Sequence, residues 1–380
     1  MRVTAVELRD FRNYDRARVT LGDGLTVLHG PNGAGKTNLL EAVYFGCLGR
    51  SPRTTNEREL VRGGAKVARV IVDTAAADGT AHRLEVGFEP GEAKVIRVDG
   101  TPVENLGTSD ARPLASVFLP ERLDLVKGAP AGRRAHLDRF VAGLWPARDE
   151  TRRAYGRALG QRNALLARIR SGGSSRATLA TWDAELAGHG VRLMADRREA
   201  TRLLGPRFAE LSDMLGLTGE AALEYRPRSA AQDPAALPAE LAERHDADLE
   251  RGFTAHGPHR DDFRLTHAGR SLRQYGSQGQ QRVGLLALLF AERDTLQEER
   301  GQLPLMLLDD VMSELDSARR ELLVELLRSG GQSLLTTTEL AHVPGAEATG
   351  AATIAIAEGG IVESPKAGAE RPAAPNARAA

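Results

Sequence analysis

The chain holds a single cysteine, Cys47, so no intramolecular disulfide framework can staple it, and a reducing compartment suits it. Aromatic residues make up only 4% of the sequence and charged residues 27%, which fits a soluble globular protein and nothing fibrous. Lysine is nearly absent: five residues against 46 arginines, so runs of arginine are partly background. Neither charge sign prevails, with 51 acids and 51 bases; any hint of a nucleic-acid or membrane partner must come from local clustering. No uninterrupted apolar run approaches the roughly 18 residues of a membrane span. The opening "MRVTAVELRDFRNY" lacks the apolar segment and cleavage site of a signal peptide. These absences predict a cytoplasmic protein with no membrane partner. At 380 residues the chain exceeds the usual size of one compact core, which predicts two domains or one domain with a large insertion.

What is present is α/β in texture. "RVTAVEL", "ARVTL" and "GLTVLHG" read as strands, followed by a helix from about Lys36 to Leu48. "VARVIV", "HRLEVGF" and "KVIRVDG", separated by Gly, Asp and Pro, predict an antiparallel meander, and "LASVFLP" a buried strand. From about 132 to 216 apolar residues recur at helical spacing, including Tyr155, Leu159, Leu166 and Ile169, then Leu179, Trp182, Leu186, Leu193 and Leu204. The intervening "SGGSS" makes this pair an antiparallel helical hairpin, with Pro206 starting a new helical piece. Strands return near "ALEYRP" and "DDFRLTH". A long helix over about 278–300, the strand "LPLMLLDD", a further helix and the strand "QSLLTTT" follow. The expected organisation is an α/β domain built from 1–131 and 217–364, a helical arm over 132–216, and an Ala/Pro-rich disordered tail over 365–380.

"GPNGAGKT" (30–37) matches the phosphate-loop pattern and stands between a predicted buried strand and a predicted helix, the context that pattern requires. Gly30, Gly33 and Gly35, with Pro31, Asn32 and Ala34 between them, let the backbone N–H groups wrap a phosphate at a helix N-terminus. Lys36 would reach the β- and γ-phosphates and Thr37 a Mg²⁺ ion. "LPLMLLDD" ends a strand with two carboxylates: Asp309 would complete the magnesium shell opposite Thr37, and Asp310 would orient or polarise the attacking water.

"YGSQGQQR" opens the long helix with a polar, glycine-rich knuckle. Ser277 reads as its N-cap. A helix N-terminus also favours an anion, and a second such end in a chain that already has a phosphate loop is explained if it closes on the γ-phosphate of a nucleotide held elsewhere.

"GPNGAGKT", "GSQGQ", "LLDD" and "SELD" (313–316), in that order, resemble the ATPase head of the ABC superfamily. "LRDFRNY" (8–14) is similar to the opening of chromosome-maintenance and break-repair ATPases of that superfamily. "FLPERLDLVKGAPAGRRAHLDRF" (118–140) and "HGPHRDDF" (256–263) resemble the RecF family of bacterial recombination mediators, from Met1 to about Val362. The resemblance implies an ABC-type fold of mixed sheet and meander carrying an inserted helical arm, with ATP and Mg²⁺ as cofactors. It implies that Ser277, Gln278, Gly279 and Gln280 act in trans on the nucleotide of a second copy, that Asp316 couples the two sites, and that Arg12 lies near the nucleotide. The implied function is an ATP-dependent homodimer that binds double-stranded DNA at gaps or junctions, promotes recombinase loading, hydrolyses ATP slowly and works with RecR and RecO. The chain departs from the pattern of the superfamily in reading S-Q-G-Q for S-G-G-Q, in carrying Asp310 where glutamate is usual, in having Thr337 or Thr338 in the region of the switch histidine, and in placing Pro120 and Glu121 where a lining glutamine is expected.

Between Glu121 and Arg176 stand 13 basic residues against five acids. Arg133, Arg134, Arg152, Arg153 and Arg157 are the candidates for non-specific DNA phosphate contact, within a surplus that includes Arg139, Arg148, Arg162, Arg168 and Arg170. Aromatic residues do not regularly interleave with the arginines there, so base stacking is not indicated for this segment. "HGPHRDD" holds His256, His259, Asp261 and Asp262, but its Gly-Pro and paired aspartates read as a charged turn and not as a metal site. Cys47 reads as a small buried hydrophobe. A transporter ATPase subunit has no use for the helical arm, a small-molecule kinase leaves "GSQGQ" and "SELD" unexplained, and the arm is too short for a structural chromosome-maintenance coiled coil.

Overall fold

The computed structural model describes residues 1–119, 123–346 and 352–362. The expected tail over 365–380, and Pro120 and Glu121, lie outside the described residues. Strands β1 (Arg2–Phe11) and β2 (Tyr14–Thr20) form a hairpin whose turn holds Arg12 at φ 54. Strand β3 (Leu25–His29) is buried over its first four residues and runs straight into the phosphate loop and helix α1 (Lys36–Leu48). The predicted meander follows as β4 (Ala68–Ala75), β5 (Ala81–Phe88), β6 (Val95–Val98) and the short β7 (Thr101–Pro102), all antiparallel. With the hairpin they complete a six-stranded sheet in the order β2-β1-β4-β5-β6-β7.

Strand β8 (Ala115–Phe118) leads to four helices: α2 (Asp124–Lys127), α3 (Pro130–Leu144), α4 (Asp149–Arg170) and α5 (Leu179–Met214). Then come β9 (Ala221–Arg226), α6 (Ala236–Ala242), α7 (His245–Arg251), β10 (Asp262–His267), β11 (Arg270–Ser271), α8 (Leu272–Tyr275) and α9 (Gln278–Arg300). The chain closes with β12 (Leu305–Leu308), α10 (Ser317–Arg328), β13 (Ser333–Thr337), β14 (Ala352–Ala357) and β15 (Gly360–Val362).

The second six-stranded sheet, β15-β14-β3-β13-β12-β8, is parallel apart from β15 and draws its strands from both ends of the chain. Strands β12 and β13 are buried at every position, as a parallel sheet covered on both faces requires. One face shares an apolar core with α1 and the antiparallel sheet through Leu39, Phe45, Val70, Leu307 and Leu334; Cys47 is fully buried in it. The other face packs against α9, and the same cluster includes Leu137 and Phe140 of α3 and Leu204, Phe208 and Leu211 of α5. The base of the helical segment is therefore continuous with the core, and its upper part has clusters of its own around Tyr155, Leu186 and Met194.

Pro206 does not start a new helix: it lies inside the continuous helix α5. A proline in a helix interior costs about 3 kcal/mol. The burial of Leu204, Phe208 and Leu211 on either side offsets it, each worth roughly 1.5–3 kcal/mol.

Buried ion pairs tie the helices together. Arg162 of α4 has no exposed surface; it donates to Asp183 at 2.7 Å, to Asp248 at 2.8 Å and to the Thr254 hydroxyl at 2.7 Å. Arg197 of α5 forks onto Asp138 at 2.7 and 2.9 Å and reaches Asp261 at 3.0 Å. His259 accepts from the Tyr155 hydroxyl at Nδ1, 2.7 Å, and donates from Nε2 to the Thr254 carbonyl, 2.9 Å. That pattern satisfies the neutral ring, and burial lowers the His259 pKa to about 4.

Candidate nucleotide site

The phosphate loop is held from both sides by tight turns. From the β1–β2 turn, Asn13 donates to the Ala34 carbonyl at 3.2 Å and the buried Tyr14 hydroxyl to the Gly35 carbonyl at 3.0 Å. From the β14–β15 turn, Gly359 N–H donates to the Ala34 carbonyl at 2.9 Å. Gly30, at φ +151, lies so close to β14 that an added Cβ would stand 2.1 Å from the Ile356 carbonyl oxygen. Gly30→Ala must therefore displace the loop or the strand, and is expected to weaken nucleotide binding by about tenfold or more in a fluorescent-nucleotide titration.

Lys36 begins α1 and donates to the carbonyls of Gly30 and Pro31 at 2.7 and 2.9 Å, which folds its ammonium back over the loop. Burial lowers its pKa, opposed by the charges of Asp309 and Asp310. Thr37 donates to both carboxylate oxygens of Asp309, at 2.9 and 2.8 Å, across 272 residues of sequence. This is the juxtaposition the sequence predicts. A hydroxyl and a carboxylate are hard oxygen donors, and two of them beside a phosphate cradle suit Mg²⁺, which keeps waters and phosphate oxygens as its other ligands. Among the described residues no cluster of three or more His, Cys, Asp or Glu side chains could hold a metal without such help. In "HGPHRDD", Pro258–Arg260 form a single 3-10 turn between α7 and β10, and not a turn between two strands.

One residue of the site escapes sequence reading. Thr336 donates to Asp309 at 2.7 Å and accepts from the Asp310 N–H at 2.9 Å. It fixes the first carboxylate and holds Asp310 in its φ 45 backbone, from which the Asp310 side chain faces outward. The signal is the register of β12 against β13: Leu308 pairs with Leu335, so the next residue on each strand meets across the sheet. Thr337, one of the two threonines in the region of the switch histidine, turns back to the Glu339 carbonyl at 2.9 Å.

Arg12 forks onto the fully buried Glu41 of α1 at 2.8 and 2.9 Å and donates to the Glu59 carbonyl at 2.9 Å. It thus docks the β1–β2 turn against the helix that follows the loop.

At the start of α9, Ser277 accepts from Gln280 N–H at 3.2 Å while the Gln280 side chain accepts from Ser277 N–H at 2.9 Å: a complete capping box. Ser277, Gln278 and Gly279 face outward. A small hollow of about 70 Å³ is lined by Gly279, Arg282, Asp310 and Leu315, so this helix end and the second carboxylate of one chain border the same space. Asp316 caps α10, accepting from Arg319 N–H at 2.9 Å.

The arginine candidates divide. Arg133 is 3% exposed, pairs with Asp262 at 2.8 and 3.2 Å and donates to the Gly128 carbonyl, so its guanidinium is committed to the interior. Arg162 is wholly buried. Arg133 is thereby corrected from a candidate phosphate ligand to a structural ion, and Arg162, counted only in the wider surplus, is likewise interior. Arg134 donates to the Asp261 carbonyl at 2.8 Å; Arg152 and Arg153 share Asp149, and Arg157 pairs with Glu150. Three of these four arginines thus stand beside acids of their own helix.

Residues 2–356 match the family model described as the RecF/RecN/SMC N terminal domain. A protein of Anaeromyxobacter sp. (strain Fw109-5) named DNA replication and repair protein RecF is 39% identical over 374 residues, covering 95% of this chain and 99% of that protein. One of the same name from Myxococcus xanthus (strain DK1622) is 40% identical over 360 residues, 92% of this chain and 93% of its own. A solved structure of the recombination mediator protein RecF with ATP superposes with a TM-score of 0.84 at 27% identity, over 96% of this chain and 97% of that one. An Smc head domain from Pyrococcus furiosus shares the fold, with a TM-score of 0.58 at 17% identity over 94% of each chain.

Proposed function

Because the chain belongs to the RecF family of DNA replication and repair proteins, we propose that it is an ATP-switched DNA clamp whose active site is completed by a second copy. The observation that carries this reading is the Thr37–Asp309 bond, which joins a phosphate loop to a strand-end carboxylate as an ATPase needs. Thr37 and Asp309 would hold Mg²⁺; when bound, the ion neutralises charge on the β- and γ-phosphates. Lys36, freed from the Gly30 and Pro31 carbonyls, would hold the same oxygens. Thr336 keeps Asp309 aimed, and Asp310 would orient the attacking water. Its carboxylate is one methylene shorter than the usual glutamate, which supports slow turnover.

The outward-facing end of α9 supports closure on the nucleotide of a second copy. Two such closures would make a symmetric, self-complementary dimer. The dimer would embrace duplex DNA at gaps or junctions, assist recombinase loading alongside RecR and RecO, and open after hydrolysis. Sedimentation and duplex-DNA retention, measured without nucleotide and with ADP, ATP and a non-hydrolysable analogue, test this. Wild type should dimerise and hold duplex only with ATP or the analogue. Asp310→Asn should dimerise with ATP, turn over roughly a hundredfold more slowly, and hold DNA longer. Identical mass and retention in ADP and ATP would overturn the reading.

A further inference from the structure

The three-stranded sheet β11-β10-β9 leads directly into the start of α9. Its inner face supplies Leu223, Tyr225, Phe263 and Leu265 to the core, and period-two alternation turns Glu224, Arg226, Asp262 and Arg264 to the other face. Two adjoining hollows lie there, the larger of about 520 Å³, and they share Arg264, Ser271 and Gln274. Arg226 and Arg270 line one, and Arg133 and Arg273 the other.

Five guanidiniums thus meet two carboxylates. Glu224 pairs with Arg226 at 2.6 Å, and Asp262 is shared between Arg133 and Arg264. Arg270 and Arg273 have no carboxylate at ion-pair distance among the described residues. This contrasts with the arm arginines: Arg152 and Arg153 share Asp149, and Arg157 pairs with Glu150. Tyr275, at the rim, is 68% exposed, the highest value for any large apolar side chain described, and the Arg270 guanidinium lies 5.9 Å from its ring centre. An exposed aromatic ring with one arginine of no ion-pair partner beside it and a second in the adjoining hollow is the chemistry of a stacking platform beside a phosphate track.

We infer that this face binds the unpaired strand of DNA: one base stacks on Tyr275, and the neighbouring phosphates pair with Arg270 and Arg273. The inference rests on the DNA-binding reading above and adds to it a separate seat for single strand, at the element that senses nucleotide. A gap or junction would then be recognised by its two parts, duplex within the clamp and single strand here.

The test uses the full chain with ATP analogue and labelled probes: oligothymidylate, a blunt duplex, and the same duplex with a thymidine overhang. Tyr275→Ala should weaken oligothymidylate and overhang binding by at least about fivefold and leave the blunt duplex unchanged. Tyr275→Phe, which keeps the ring, should bind as wild type does. Arg270→Glu/Arg273→Glu should lower the single-strand salt slope by about 1.4, at about 0.7 per phosphate lost. All three changes are at surface positions, and unchanged melting temperatures would show intact folds. If Tyr275→Ala binds oligothymidylate as wild type does, the inference is wrong. It is equally wrong if these variants lose ATP-dependent self-association while DNA binding per dimer stays constant, because the face would then be a seat for the second copy. Wild type that holds no probe in any nucleotide state would instead overturn the DNA-binding reading itself.

Discussion

An arginine in place of Ser277 is expected to keep the protein monomeric with ATP and to lower turnover by roughly a hundredfold, with nucleotide affinity of the monomer within about twofold of wild type. Within its own chain Ser277 does one thing: its hydroxyl caps α9. Losing such a cap costs about 1 kcal/mol, which a helix with 14 buried residues among 23 tolerates. A large effect must therefore come from outside the chain, where a long cationic side chain would fill the space that the proposed γ-phosphate contact needs. Ser277→Asn separates the two roles, since asparagine caps as well as serine and adds little bulk. It should fold like wild type and retain most of the self-association. Sedimentation of both variants with a non-hydrolysable analogue decides the matter; an ATP-dependent dimer of Ser277→Arg would refute the composite site.

Replacing Arg162 with methionine is expected to destabilise the protein by about 3–5 kcal/mol, a severe loss for a single side chain. Arg162 has no exposed surface, and Asp183 and Asp248 are 3% and 0% exposed at the side chain. Methionine matches the aliphatic length and leaves Asp248 with no cation, bound only by the Ala255 N–H at 3.0 Å. Asp183 keeps His245 at 2.6 Å. The damage should therefore concentrate on Asp248, and Arg162→Met/Asp248→Asn should recover part of the loss. Urea denaturation at neutral pH measures both. A midpoint for Arg162→Met within experimental scatter of wild type would show that the buried fork is not holding α4 to α5 and α7. ATP affinity at low temperature should be unchanged, because the fork touches no residue of the phosphate loop.

The nucleotide site was legible from sequence because its parts are local. "GPNGAGKT" carries its own strand and helix, and α1 starts at Lys36 and ends at Leu48 as the pattern predicts. The pairing of Thr37 with Asp309 follows from motif chemistry alone. Thr336 was not legible, because its contact depends on how two parallel strands align, and apolar runs such as "LMLL" and "SLLTT" do not encode register. Arginines were the hardest to read. Arg133 and Arg157 look alike in the sequence, and only the fold brings Asp262 to the first, 129 residues on, while the second stays at the surface. Pro206 misled for a related reason: its local cost is visible, whereas the packing that outweighs it comes from elements far along the chain. Tyr275 sits in a stretch whose glycines and glutamines drew attention to the helix start, and nothing local marks the ring as exposed.

The parallel sheet has a consequence for biosynthesis. Strand β3, which carries the phosphate loop, has both of its neighbours, β13 and β14, from the last fifth of the described chain. Thr37 leaves the ribosome 272 residues before Asp309, roughly 14 to 54 seconds earlier at bacterial elongation rates of about 5 to 20 residues per second. During that interval the nascent polypeptide displays a glycine-rich loop with neither its flanking strands nor its acidic partner. The bond between Thr37 and Asp309 and the pairing of β3 with β13 and β14 can form only once those late residues have emerged.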